Sequence, residues 1–164
     1  MALQTVCPLP TREAVRQLYN VLLGCQVTVD RGKVSLQPHL GVPMVVADYV
    51  VEGGRIAAVG LWDLPLAASS AAALAMMPAT TVGECQTAGR LDDDLLELFH
   101  EVANITTKLF NSASTPHIVL RGVQQAPASL PRDTRALVAA PVARLDYDLG
   151  VEGFADGVMS LLAW

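Results

Sequence analysis

The sequence predicts an α/β two-layer domain in which long helices pack on a mixed, mostly antiparallel β-sheet. Three observations carry that reading. Two apolar runs, residues 42–51 and 56–62, flank Glu52-Gly53-Gly54-Arg55, the pattern of a hairpin. Leu95, Leu98, Phe99, Val102, Ile105 and Leu109 recur at helical spacing and mark one side of a long helix. Hydrophobic residues make up 52% of the 164 positions and charged residues 16%, which excludes disorder and suffices for one core without metal or disulfide staples. Residues 1–164 therefore read as one domain.

Taken in order, Thr11 caps a first helix whose stripe is Ala14, Val15, Leu18, Val21 and Leu22, and Gly24 ends it. Residues 27–29 and 34–36 read as short strands about the turn Asp30-Arg31-Gly32-Lys33. The hairpin follows, and then a helix over 65–77 with Asp63 as its cap and Pro65 in its first turn. The segment 66–77, about 12 residues and rich in Ala and Ser, is too short to cross a bilayer, which takes roughly 20. A second long helix spans 92–110, opening on Asp92-Asp93-Asp94, which suits the positive end of the helix dipole. A strand at 117–121 precedes a Pro-rich loop at 124–132. The apolar stretches 136–147 and 157–163 read as antiparallel strands joined near 150–153.

Composition narrows the function classes. The net charge is −5, and the eleven Lys and Arg residues are scattered, so neither nucleic acid nor an anionic membrane is an expected partner. The opening MALQTVCPLPTREAV has neither the basic start nor the apolar stretch of a signal peptide, and a cytoplasmic protein is expected. Cys7, Cys25 and Cys85 form no CxxC pair and read as buried or half-buried free thiols. His39, His100 and His117 lack metal-ligand spacing. His100-Glu101-Val102-Ala103-Asn104 imitates HExxH without its second histidine, and an Asn oxygen is a poor substitute for imidazole, so no zinc site is expected. No GxSxG elbow and no phosphate-cradling glycine loop occurs.

On the second long helix Glu97, Glu101, Asn104 and Lys108 share the face opposite the apolar stripe. A solvated surface gives such a face without any function. Asn104, however, is a mediocre residue for a helix interior, because its amide competes for the backbone.

The segment Asp94-Leu-Leu-Glu97-Leu-Phe-His-Glu101-Val-Ala-Asn104 resembles the signature helix of the CheC/CheX/FliY family of response-regulator phosphatases: Asp or Ser, three residues, Glu, two residues, Asn, and later Pro. The order of elements around it, from the leading helix and hairpin to Thr115-Pro116-His-Ile-Val-Leu-Arg-Gly122, resembles CheX. The resemblance implies that Asn104 orients a water for attack on the phospho-aspartate of a CheY-like response regulator and that Glu101 pairs with that partner's lysine. Glu97, Lys108 and Pro116 would then belong to the docking surface. Mg²⁺ would sit in the partner's site, with no cofactor on this chain. Glu97 stands where the family prefers Asp or Ser. Pro127 satisfies the family's Asn-to-Pro interval literally, whereas Pro116 better fits its strand context. A single Glu-x-x-Asn helix implies one site and a CheX-like homodimer. The alternative is a non-catalytic docking module of the same fold, binding a signalling or motor-switch partner.

Overall fold

The computed structural model describes residues 7–113 and 115–164; residues 1–6 of the stretch read for a leader lie outside them. Helix α1 (Arg12–Leu23) starts where the Thr11 hydroxyl accepts the Ala14 amide at 3.2 Å and ends at Gly24, whose φ of 66° is the left-handed conformation glycine adopts without penalty. Its buried residues are Val15, Tyr19 and Leu23, while Val21, expected in the core stripe, is 86% exposed. Tyr19 sets this rotation: its hydroxyl accepts the Trp62 indole N–H at 2.8 Å inside the core.

Strand β1 (Val27–Arg31) does not turn back into a hairpin, and residues 34–36 form no strand. Gly32 presses on the backbone of Asp146 and Tyr147, where a Cβ would meet atoms at 2.8 and 2.9 Å, and its amide donates to the Asp146 carbonyl at 2.8 Å. The chain then crosses the sheet. Ser35 donates to the Asp146 carboxylate at 2.8 Å, the Leu36 amide donates to the Ser160 hydroxyl at 3.3 Å, and Leu36 is buried.

Strands β2 (Met44–Val51) and β3 (Ile56–Asp63) form the expected hairpin, with Gly53 and Gly54 at φ 109° and 97°. Asp63 caps α2 (Leu64–Leu74), accepting the Leu66 amide at 3.0 Å. This helix stops short of residue 77, and Met76 takes a left-handed φ of 54°. A helix absent from the sequence reading, α3 (Thr80–Ala88), follows and buries Thr81, Val82 and Cys85. Helix α4 (Asp93–Thr106) is capped by Asp92, which accepts the Leu95 amide at 2.9 Å, and continues into a 3₁₀ turn at Thr107–Leu109.

Strand β4 (Ile118–Ala126) runs past residue 121 through Gly122, with a bulge opposite Asp48 and Tyr49, so glycine does not end the strand. Part of the presumed strand at 136–147 is helix α5 (Arg132–Ala139); β5 (Ala143–Val151) and β6 (Gly157–Ala163) complete the chain. A short apolar run fits helix and strand alike, and the decision here is tertiary. Arg121, placed in the bulge, donates to Asp133 at 3.0 Å, to Thr134 at 3.0 Å and to buried Asp48 at 3.2 Å, while the Thr134 hydroxyl donates to Asp48 at 2.8 Å. That network ties the first turn of α5 to the sheet.

The sheet order is β1-β5-β6-β3-β2-β4, and every described pairing is antiparallel. Alternation along the central strands gives the sheet two buried faces. Val45, Ala47, Tyr49 and Trp62 share one core with α1, α2 and α4. Met44, Val46, Val59 and Leu61 share a second with Leu36, Leu130 and Leu137 of α5. The two-layer α/β plan thus holds, with α5 as a partial cover on the second face. The described residues contain no helix long and apolar enough to cross a membrane.

Candidate functional site

Helix α4 is fixed from beneath. Leu95, Phe99, Val102, Ala103 and Thr106 are buried, and Phe99 meets Trp62 edge-on with ring centres 5.1 Å apart. Leu98, Ile105 and Leu109, expected in the stripe, are half-buried at its margins. The C-terminal end is held more tightly. The Thr107 amide reaches the Asn104 carbonyl, as does the Thr107 hydroxyl at 2.6 Å, and the Tyr49 hydroxyl of β2 donates to the Ala103 carbonyl at 2.9 Å. The Tyr49 ring packs on Phe110 at 4.9 Å, and burial raises its hydroxyl pKa well above 10. Tyr49 therefore stays a neutral donor, pinning the backbone next to Asn104.

The other side of α4 is free. Glu97, Glu101, Asn104 and Lys108 are all exposed, as the helical period requires, and among the described residues their side chains make no hydrogen bond or ion pair. Glu101 and Asn104 lie three residues apart, one above the other on one face. Such a pair offers an outside group a carboxylate and an amide with both a donor and an acceptor. Its N-terminal approach is acidic, with Asp92, Asp93 and Asp94 exposed; the Arg90–Asp93 contact of 3.7 Å is itself largely in water and adds little.

Glu97 also borders a shallow depression of about 330 Å³ between α4 and β4, together with Asp93, Leu96, His100 and Val123. In the sequence His100 figures only in the incomplete zinc pattern; its spacing of three from Glu97 is the local signal that places both on one side of α4. Pro116 is exposed ahead of β4 and lines a different cleft, of about 250 Å³, with Cys7, Arg55 and Trp164. None of Glu97, Glu101, Asn104 and Lys108 lines that cleft. Pro127 lies beyond the end of β4 on the second face of the sheet. The three cysteines are free: Cys7 and Cys85 are buried, Cys25 is half-buried, and burial lifts the Cys7 thiol to about 11. Among the described residues no three His, Cys, Asp or Glu side chains are placed to hold a metal ion.

No family model matches the sequence, and no curated protein sequence matches it. Solved structures do match in three dimensions. The FliM–SpeE complex from H. pylori aligns with a TM-score of 0.64 at 10% identity, over 93% of this chain and 80% of the matched one. Thermotoga maritima FliY aligns at 0.54 and 13% identity, over 99% and 92%. The CheX–CheY–BeF3–Mg²⁺ complex from Borrelia burgdorferi aligns at 0.56 and 11% identity, over 92% of each chain. At these identities the likeness is one of fold, the α/β fold common to CheX, FliY and FliM.

Proposed function

We propose that this chain is a CheX-like phosphatase that removes the phosphoryl group from the aspartate of a CheY-like response regulator. The observation that carries the proposal is the pair Glu101 and Asn104, exposed and without partners among the described residues, on a helix whose buried side is locked by Phe99, Ala103 and Tyr49. A crystal complex of the same fold with CheY supports the choice of partner.

An acyl phosphate is already reactive, so its hydrolysis depends mainly on placing water in line with the leaving carboxylate. The side-chain amide oxygen of Asn104 accepts a hydrogen bond from that water and aims the water's oxygen at phosphorus. The P–O bond to the partner's aspartate breaks, releasing the carboxylate and inorganic phosphate. Glu101, one turn earlier, pairs with a lysine beside the phosphorylated aspartate and fixes the register of α4 on the partner. The Mg²⁺ belongs to the partner, and nothing is bonded covalently to this chain. Glu97 and Lys108 extend the docking face along α4, with Pro116 beyond it. The working unit is a cytoplasmic homodimer, which light scattering at tens of micromolar would register as twice the monomer mass.

A second reading, a docking module without hydrolysis, is supported by the same fold in the FliM–SpeE complex and by Glu97 standing where the phosphatases prefer Asp or Ser. Incubation with a panel of phosphorylated regulators separates the two. Faster phosphate loss from one regulator supports the phosphatase; binding without faster loss leaves the docking module.

A further inference from the structure

On the face of the sheet opposite α4 lies a cleft of about 710 Å³, formed by the 3₁₀ turn Pro38–Leu40, the loop after β4, and α5. Its size falls in the range of small-molecule sites, about 300–1,000 Å³. Pro38, Ala126, Pro127, Leu130, Val138 and Ala139 give it an apolar lining. Its charged lining residues have one sign: Arg135 and Arg144, with no Asp or Glu, in a chain of net charge −5.

The two guanidinium groups differ usefully. Arg144 is a rigid part of the wall. It is ion-paired with Asp146, to which its Nε donates at 3.1 Å and from which its Nη2 lies 3.0 Å, and Nη2 also donates to the Leu36 carbonyl at 2.8 Å and the Ser160 hydroxyl at 3.1 Å. Its Nη1 makes no hydrogen bond among the described residues. Arg135 is exposed on α5 and has no hydrogen bond or ion pair among them. The opposite wall is equally fixed, because α5 is anchored through Thr134 and Asp133 to Arg121 and buried Asp48. The cleft is thus preformed, apolar along its length, and offers one cation unpaired among the described residues, Arg135, beside the free Nη1 of ion-paired Arg144.

We propose that this cleft binds a small amphiphilic organic acid, its carboxylate held by Arg135 and the free Nη1 of Arg144 and its hydrocarbon body lying on Leu130, Val138 and the prolines. A carboxylate matches the planar donors of a guanidinium, and the apolar lining supplies the rest of the recognition. The site is independent of the Glu101–Asn104 face, and its failure would leave that reading untouched.

The test titrates the full chain with decanoate below its micellar range, with decyltrimethylammonium as the charge-reversed probe, following backbone amide shifts. Decanoate should saturate one site, with shifts confined to residues 37–41, 126–130 and 135–144, and the cation should bind at least tenfold more weakly. Arg135→Gln, at an exposed position without partners among the described residues, should fold normally and weaken decanoate about tenfold, the loss typical of one charge-assisted hydrogen bond. Ala139→Trp, also exposed, should fill the cleft and abolish saturable binding. Equal binding of both amphiphiles, unchanged affinity in Arg135→Gln, shifts centred elsewhere, or no saturable decanoate binding would each overturn the proposal.

Discussion

Removing the Tyr49 hydroxyl tests how the fold positions the candidate site. The hydroxyl donates to the Ala103 carbonyl at 2.9 Å in a fully buried setting, and the Thr107 amide is directed to Asn104 instead. Tyr49→Phe keeps the ring against Phe110 and opens no cavity, so the change is confined to one hydrogen bond. A buried acceptor left without its donor costs about 1–2 kcal/mol. For a chain of 164 residues that corresponds to a Tm lower by roughly 3–6 °C. Urea titration should show a lower midpoint at unchanged slope, since the surface exposed on unfolding is the same. Loosening the turn that carries Asn104 should also reduce phosphate release by about tenfold, because small misplacements at a positioned water are costly. A variant as stable as wild type would refute the claim that this hydroxyl holds the end of α4. A destabilised variant with undiminished hydrolysis would separate stability from positioning.

Two further outcomes follow from buried polar groups. Asp48→Ala should cost about 3 kcal/mol, because the buried Thr134 hydroxyl loses its acceptor and Arg121 keeps only Asp133 and Thr134; amide exchange should quicken first in α5, and uniform quickening would argue against the anchor. All three tyrosines hold their protons more tightly than an unfolded chain, mainly through burial: Tyr19 is pushed up to about 12, and Tyr49 and Tyr147 are also raised above 10. A raised folded-state pKa gives stability that is complete below about pH 10 and lost as pH climbs toward 12. Absorbance at 295 nm should therefore show little phenolate in the native protein at pH 10.5 and much in urea; native titration near 10 would contradict the burial.

The parts of the fold legible in the sequence are those written in local chemistry. Thr11 and Gly24 bracket α1, Asp63 and Asp92 cap α2 and α4, and Gly53-Gly54 sets the central hairpin; each signal acts within a few residues. The misread segments depend on distant partners. Gly32 looked like a turn residue, but its role is to approach Asp146, far along the chain. Helix α3 has Ala79 as its N-cap residue, with no side-chain cap to announce it. Helix α5 is specified by Arg121 and Asp48, which no window around residue 136 contains. The site divides the same way. Exposure of Glu101 and Asn104 follows from helical period alone, whereas Tyr49 beneath Ala103 and the cleft beside α5 exist only once β2, β4 and α5 are assembled.

The most direct test of the proposed activity compares wild type with Asn104→Ala in single-turnover dephosphorylation of the responsive regulator, at saturating concentrations of this protein. The Asn104 side chain has no partner among the described residues, and Ala is the better helix former, so folding and binding should be retained. The rate of phosphate loss should fall about a hundredfold. Equal rates for the two proteins would contradict the catalytic role of Asn104.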